Sequence, residues 1–261
     1  MNKIGLSLGG GSLRGVAHIG VIKELENRNI PISYIAGTSS GALIGGLYAS
    51  GMTPDQMIEL FQRIDWGKYI DIRFPKFALL KGKRIYQDLV MLTEGKHFKD
   101  LSIPFSAICI DLTEGHLKVV NEGEVAKAIR ASIAIPGIFH PVKYGDNILV
   151  DGYILNNNPA DIVKMMGADY VIASEVKGVI DKVPVKGVIT SLQKYMNIAS
   201  VYQTYGQLEK NANLIIKIDC EKYGKLTWKT FSSLGRYIEE GLTQTAKAIA
   251  TLEDELKLSV S

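Results

Sequence analysis

Two short apolar runs, Lys3–Leu8 and Tyr34–Ala36, each end in glycine and lead into a segment of helical spacing. The first runs through Gly9-Gly10-Gly11 into Val16–Asn29, where Val16, Ile19, Ile22 and Leu25 alternate with Lys23, Glu24 and Glu26. Apolar residues three and four apart mark one face of a helix, and Pro31 is expected to stop it. The second runs through Gly37-Thr38-Ser39 into the Ala/Gly/Leu-rich segment Ser40–Ser50. Strand, glycine turn, helix, repeated once, is the rhythm of a parallel sheet with helices packed on it. The chain is therefore expected to be α/β, three layers deep, with a mostly parallel central sheet.

The remaining pattern extends this reading. Thr53-Pro54 opens a further helix, Thr as N-cap and Pro in the first turn. Phe105–Leu112 and His116–Val120 read as strands joined at Thr113-Glu114-Gly115, Val125–Ser132 as a helix, and Ile148–Val150 as a strand ending at Asp151-Gly152. Pro159–Met166 reads as a helix and Tyr170–Glu175 as a strand. Ile189–Glu209, Leu214–Asp219 and Leu234–Leu256 follow as helix, strand and helix. The periodicity fails from Trp66 to Arg84, where aromatic and basic residues mix; the segment is either a lid near a site or an irregular surface connection. No Pro/Ser-rich linker or charge block divides the 261 residues, so one domain is expected, 1–261, with the motifs in 3–175 and an extension in 176–261.

The 30 basic residues are spread along the chain at a net charge of +3. A nucleic-acid binder concentrates its basic groups, so no nucleic acid is expected as partner. A transient contact with an anionic membrane surface is compatible with this charge. Asn29–Pro54 carries no charge, but its five glycines and two prolines make it a poor spanning helix. The apolar part of the N-terminus is too short for a signal peptide, and a cytoplasmic protein, peripheral to the membrane at most, is expected. Cys109 and Cys220 lie in apolar strand-like runs and read as buried thiols. No metal site and no cofactor is expected.

Three elements carry chemistry. Gly37-Thr38-Ser39-Ser40-Gly41 is a Gly-x-Ser-x-Gly pattern between a strand and a helix. That is the setting of a nucleophile elbow, whose flanking Gly37 and Gly41 answer to a tight turn. Ser39 or Ser40 as an ordinary helix N-cap is the competing reading. Gly9-Gly10-Gly11-Ser12-Leu13-Arg14-Gly15 also opens a helix after a strand. A P-loop would follow its last glycine with Lys and Ser/Thr, where Val16-Ala17 stands. A dinucleotide fingerprint would end the second strand in an acidic residue, where Gly37-Thr38-Ser39 stands. An oxyanion hole needs only amide donors near the nucleophile. In a parallel sheet the C-terminal ends of neighbouring strands bring the two loops together.

The third element is Asp151, leaving an apolar strand into a glycine turn. None of the four histidines (His18, His97, His116 and His140) follows the elbow in a triad order, so a partly desolvated carboxylate is the candidate base. An Asp that merely starts a turn is the alternative.

Together these pieces resemble the patatin-like phospholipase family, in its bacterial branch similar to the neuropathy target esterase catalytic domain. The resemblance rests on Leu8–Gly20, Ile35–Ala42, Ala131–Phe139, Val150–Tyr153 and Asn157-Asn158-Pro159, in the family's order. It implies a patatin-like fold and a serine acyl-ester hydrolase of phospholipase or lysophospholipase type, acting on a lipid or acyl-ester substrate. It also implies a dyad of Ser39 and Asp151 without histidine, an oxyanion hole from the backbone of Gly10, Gly11 and Ser12, and Arg14 as the anchor of that loop. Some members carry glycine where Ser12 stands, a change that backbone donors survive. Oligomeric state, the natural ester and the role of the region after Val176 are left open.

Overall fold

The computed structural model describes residues 3–64, 82–176, 187–220 and 234–258, together with Val185 and Tyr223. Their strands form one sheet: β1 (Ile4–Leu8), β2 (Ile32–Thr38), β3 (Phe105–Asp111), β4 (His116–Val120), β5 (Val142–Tyr144), β6 (Asn147–Asp151), β7 (Tyr170–Glu175) and β8 (Leu214–Lys217). The hydrogen-bonded path is β5-β6-β3-β2-β1-β7-β8, with β4 also on β3. The pairs β3–β2, β2–β1, β1–β7 and β7–β8 are parallel, while β4 and β6 run against β3 and β5 against β6.

The helices are α1 (Ala17–Asn27), α2 (Ser40–Ala49), α3 (Pro54–Arg63), α4 (Lys83–Leu92), α5 (Val125–Ser132), α6 (Ala160–Met165), α7 (Val188–Asn211) and α8 (Leu234–Leu258). Two apolar layers separate them. One holds Leu6, Leu8, Ile19, Ile22, Ile44 and Phe105 with α8 residues such as Tyr237. The other, thinner, holds Ala36, Ile108, Val163, Val171 and Leu208 and lies under α6 and α7. The three-layer α/β/α reading therefore stands. α8 reaches the first layer by close backbone approach: a Cβ on Gly20 would sit 1.9 Å from Ile238 O, and one on Gly241 2.0 Å from Ala17 O.

Local chemistry explains most boundaries. α3 carries the full capping box, with Thr53 accepting from the Gln56 amide and the Gln56 side chain accepting from the Thr53 amide. α1 ends before Pro31 can act. Asn29 takes φ +54 and the Ile30 N–H returns to Leu25 O at 2.9 Å, a left-handed termination.

The interval Trp66–Arg84 is only partly described: Gly82 caps α4 in the left-handed region, and Lys83 and Arg84 form its first turn. Residues 66–81 lie outside the described residues. The sheet is mostly parallel, as expected, and β6, which carries Asp151, is one of its antiparallel members, running against β3.

Candidate active site

Ser39 follows β2 directly and stands at the N-cap position of α2 with φ +55 and ψ −121. A non-glycine residue in this region is strained, and such strain collects at functional sites. Its hydroxyl makes no capping hydrogen bond to α2, so the N-cap reading of Ser39 loses its basis. The elbow has no room for side chains on either flank. A Cβ on Gly37 would lie 2.5 Å from the Gly41 carbonyl, and one on Gly41 2.0 Å from Leu8 O.

β2 and β3 separate just here. Thr38 pairs with Ile108, and the next rung would join Ser39 N–H to Ile108 O. The Ser132 hydroxyl stands in that rung instead, accepting from Ser39 N–H at 2.9 Å and donating to Ile108 O at 2.7 Å.

Asp151 reaches the same place from the opposite direction. Ile35 N–H donates to Pro104 O at 3.0 Å, and Leu112 N–H donates to Ile148 O at 2.8 Å. Alternate residues of a strand turn their peptide groups to the same edge, so β2 and β6 share one edge of β3. β2 lines it up to Ile108 and β6 lines it from Cys109 on, where Asp151 pairs. The two strands meet head to head, with Ser39 the residue directly after β2 and Asp151 the last of β6. Both are buried, Ser39 at 6% and Asp151 at 1% exposure. Asp151 Oδ1 accepts from Tyr153 N–H at 3.0 Å, closing an Asx turn. Its charge is felt nearby: burial first, and then Asp151, push the Cys109 thiol up, and the same two causes push Tyr153 up to about 12. Cys109 and Cys220 are buried free thiols.

The glycine loop arches over this junction. Gly10 comes so close that a Cβ on it would be 3.1 Å from Ser39 Cβ and 2.6 Å from Asn157 Oδ1. Gly10 N–H donates to Asn157 O at 2.9 Å, and Asn157 Nδ2 donates to Gly10 O at 3.2 Å, so Asn157 clamps Gly10 on both sides. Gly11 N–H donates to Ser40 Oγ at 2.9 Å. Ser12 follows with φ +55 and opens the 3-10 turn Ser12–Val16. Arg14 Nε donates to Gly11 O at 3.4 Å. The loop thus lies against Ser39, with the Gly10 and Gly11 amides held by Asn157 and Ser40.

Beneath the loop lies a buried polar network that sequence reasoning missed. His18 Nε2 contacts Gly9 O at 2.7 Å and Nδ1 contacts Ser174 Oγ at 2.8 Å. A carbonyl only accepts, so Nε2 carries the proton and Nδ1 accepts from Ser174. Asn158 joins it, donating to Ser174 O at 2.9 Å and accepting from Ser7 Oγ at 2.5 Å. Complete burial holds the His18 pKa down at about 4, against a smaller raising effect of the Gly9 bond. With both ring nitrogens committed to the loop and β7, His18 is no base for Ser39. His97 heads the short turn Phe98–Asp100, His116 pairs with Asp111 across the β3–β4 hairpin, and the His140 carbonyl accepts from Arg130.

A cavity of about 350 Å³ opens beside Ser39, Ser40 and Ser12. Its walls are apolar: Leu43 and Leu47 from α2, Leu60 and Phe61 from α3, Ile85 and Leu89 from α4, and Ile133 and Phe139 after α5. Such a slot, apolar but for Asp88 and the serines at its Ser39 end, accepts a hydrocarbon segment.

The family model for patatin-like phospholipases matches residues 6–164, more than half of the chain. The patatin-like phospholipase domain-containing protein ZK370.4 of Caenorhabditis elegans is 35% identical over 185 residues, covering 67% of this chain and 14% of the relative. The human patatin-like phospholipase domain-containing protein 6 is 33% identical over 186 residues, covering 67% and 13%. Lysophospholipase NTE1 of Mycosarcoma maydis is 34% identical over 190 residues, covering 69% and 10%. The chain therefore spans about a seventh or less of the length of these relatives. Among solved structures, VipD from Legionella pneumophila superposes with a TM-score of 0.64 at 16% identity, covering 96% of this chain and 67% of VipD, a likeness of fold.

Proposed function

The chain belongs to the patatin-like phospholipase family, and on that premise we propose that it hydrolyses acyl-ester bonds of lipids through a Ser39–Asp151 dyad. The observation that carries this reading is the head-to-head meeting of β2 and β6 on one edge of β3, where β2 is followed at once by the strained Ser39 and β6 ends in Asp151.

The reaction is a two-step acyl transfer. Asp151 takes the Ser39 proton as Ser39 Oγ attacks the ester carbonyl, and the alcohol leaves with that proton. Water then attacks the acyl-enzyme, its proton passing to Asp151, and the fatty acid is released as Ser39 is restored. An Asp is a weak base for a serine hydroxyl, so stabilisation of the oxyanion carries much of the barrier. The Gly11 and Ser12 amides serve as donors, with Ser40 Oγ giving up the Gly11 N–H as charge develops on the carbonyl oxygen. Gly10 holds the loop in line through its two bonds to Asn157. The Ser40 amide, at the start of α2, adds the field of a helix N-terminus. The acyl chain lies in the apolar cavity beside Ser39.

The dyad needs no metal and no cofactor. The single-domain reading of 1–261 and a cytoplasmic, membrane-peripheral setting complete the proposal; no helix among the described residues is long and apolar enough to cross a membrane. The test is hydrolysis of p-nitrophenyl esters and of lysophospholipid by wild type and Ser39→Ala. Loss of both activities in Ser39→Ala is expected, and full retention would overturn the assignment.

A further inference from the structure

The outward face of α7 is apolar. A surface helix ordinarily turns its polar residues to water, yet here two hydroxyl residues are buried, beside Leu208, while a stripe of large apolar residues is exposed. Ser200 and Thr204 are buried, while Val188, Tyr195 and Tyr202 are 85%, 71% and 74% exposed, and Leu192 and Ile198 are exposed with them. These residues recur at intervals of four and three along one stripe. From Val188 to Leu208 the sequence holds a single charged residue, Lys194, and no acidic one. At the far end of the stretch, Lys217 sets its ammonium 5.8 Å from the Tyr205 ring centroid.

We infer that this face of α7 is a docking surface for the headgroup region of an anionic bilayer. Its length alone would suit a spanning segment, but its hydropathy does not. It is therefore suited to lying in the interface rather than crossing it. Tyrosine is the side chain for such a place, with an apolar ring below and a hydroxyl that reaches the wet layer. Lys194 beside the stripe and Lys217 at its end match negative lipid. Two copies of the chain meeting through the same stretch would set lysine against lysine with no acidic residue of the stretch between them.

Topology puts this face beside the chemistry. β7 and β8 are parallel to β2, so the connection carrying α7 leaves the sheet at the C-terminal end, where Ser39 sits. Its inner side holds the Asp151 loop: Ser200 Oγ donates to Tyr153 O at 2.7 Å, and Tyr153 N–H donates to Asp151 Oδ1 at 3.0 Å. A bilayer taken up by α7 lies next to the dyad. The inference rests on the proposed lipid hydrolysis for its meaning but not for its measurement.

The experiment is co-sedimentation of the full chain with phosphatidylcholine vesicles made with and without phosphatidylglycerol. It is run on wild type, on Ser39→Ala, and on Tyr195→Glu/Tyr202→Glu. Wild type and Ser39→Ala are expected to pellet with the anionic vesicles. The double variant is expected to partition about tenfold more weakly at an unchanged thermal midpoint. Wild type left in the supernatant with both vesicles, or a double variant that pellets like wild type, overturns the inference. So does a wild-type dimer that the double variant dissociates, which would assign the face to a second copy. Since Ser39→Ala is included, an absence of ester hydrolysis in wild type would sink the proposed reaction and leave the binding result standing.

Discussion

The Ser132 hydroxyl replaces a rung of the sheet under Ser39, accepting the Ser39 amide at 2.9 Å where the Ile108 carbonyl would otherwise have received it. The bond fixes the point at which β2 leaves the ladder. Ser132→Ala leaves a buried amide and a buried carbonyl without their hydroxyl, at a cost of about 1–3 kcal/mol. Urea titration checks the loss. Because the elbow itself shifts, kcat on a soluble ester is expected to fall while KM stays within a few-fold.

Gly41 is set against the backbone of β1, with Leu8 O 2.0 Å from the position of an added Cβ. No rotamer relieves a clash with a carbonyl. Gly41→Ala is therefore expected to lose about 3 kcal/mol or more, seen as low soluble yield and an early denaturation midpoint. Gly206 in α7 has nothing within 4 Å of such a Cβ. Gly206→Ala is expected to stabilise the protein by about 0.5–1 kcal/mol, a gain in midpoint that serves as the control.

His18 gives the stability a pH signature. Its pKa is about 4 when folded, against an ordinary value of 6.5. Between these values the unfolded chain holds the extra proton, so protonation pulls toward unfolding. The contribution is complete above pH 6.5, falls as pH drops, and is spent near pH 4. Over that window it amounts to something on the order of 3 kcal/mol. Denaturation at several pH values should show this slope in wild type and a shallower one in His18→Gln, whose amide does not titrate. Equal slopes would remove His18 from the account.

Asn157 bonds both sides of the Gly10 peptide. Asn157→Ala removes only the side-chain half of the clamp and is expected to lower kcat about tenfold to a hundredfold, below the cost of deleting a whole oxyanion donor. Steady-state kinetics on p-nitrophenyl butyrate check it.

The cavity sets chain length. Leu47 lines it from α2, and Leu47→Phe fills part of the space. Each methylene denied burial costs about 0.8 kcal/mol, roughly fourfold, so kcat/KM should fall progressively from short to long p-nitrophenyl esters while the shortest is spared. A uniform fall across the series would place the acyl chain elsewhere.

Much of this was legible in the chain. The two glycine turns located β1, β2, α2 and the elbow, because close packing of backbone leaves its mark as glycine at fixed offsets. Thr53-Pro54 located α3 for an equally local reason. The direction of β6 was not legible. Ile148–Val150 looks the same whether it runs with or against its neighbour, and the pairing of Asp151 with Cys109 spans more than forty residues. Ser132 and Asn157 lay inside segments already noted for family resemblance, but their contacts are tertiary. The signal available for Asn157 was a run of three amide residues, Asn156-Asn157-Asn158, separated from Asp151-Gly152 only by Tyr153-Ile154-Leu155 and buried in the fold. α4 was missed because its first turn shares a basic, aromatic stretch with Trp66–Lys81.

The Ser40 hydroxyl on the Gly11 amide has a thermodynamic meaning of its own. A donor that already has a neutral partner gains almost nothing by exchanging it for an ester carbonyl, which is also neutral. It gains substantially by exchanging it for an alkoxide, since charge-assisted hydrogen bonds are about twice as strong. In the proposed reaction the loop is thereby indifferent to the resting substrate and responsive to the tetrahedral species. Selectivity for the charged state over the neutral one is what raises turnover rather than mere affinity, and here a serine side chain supplies the comparison.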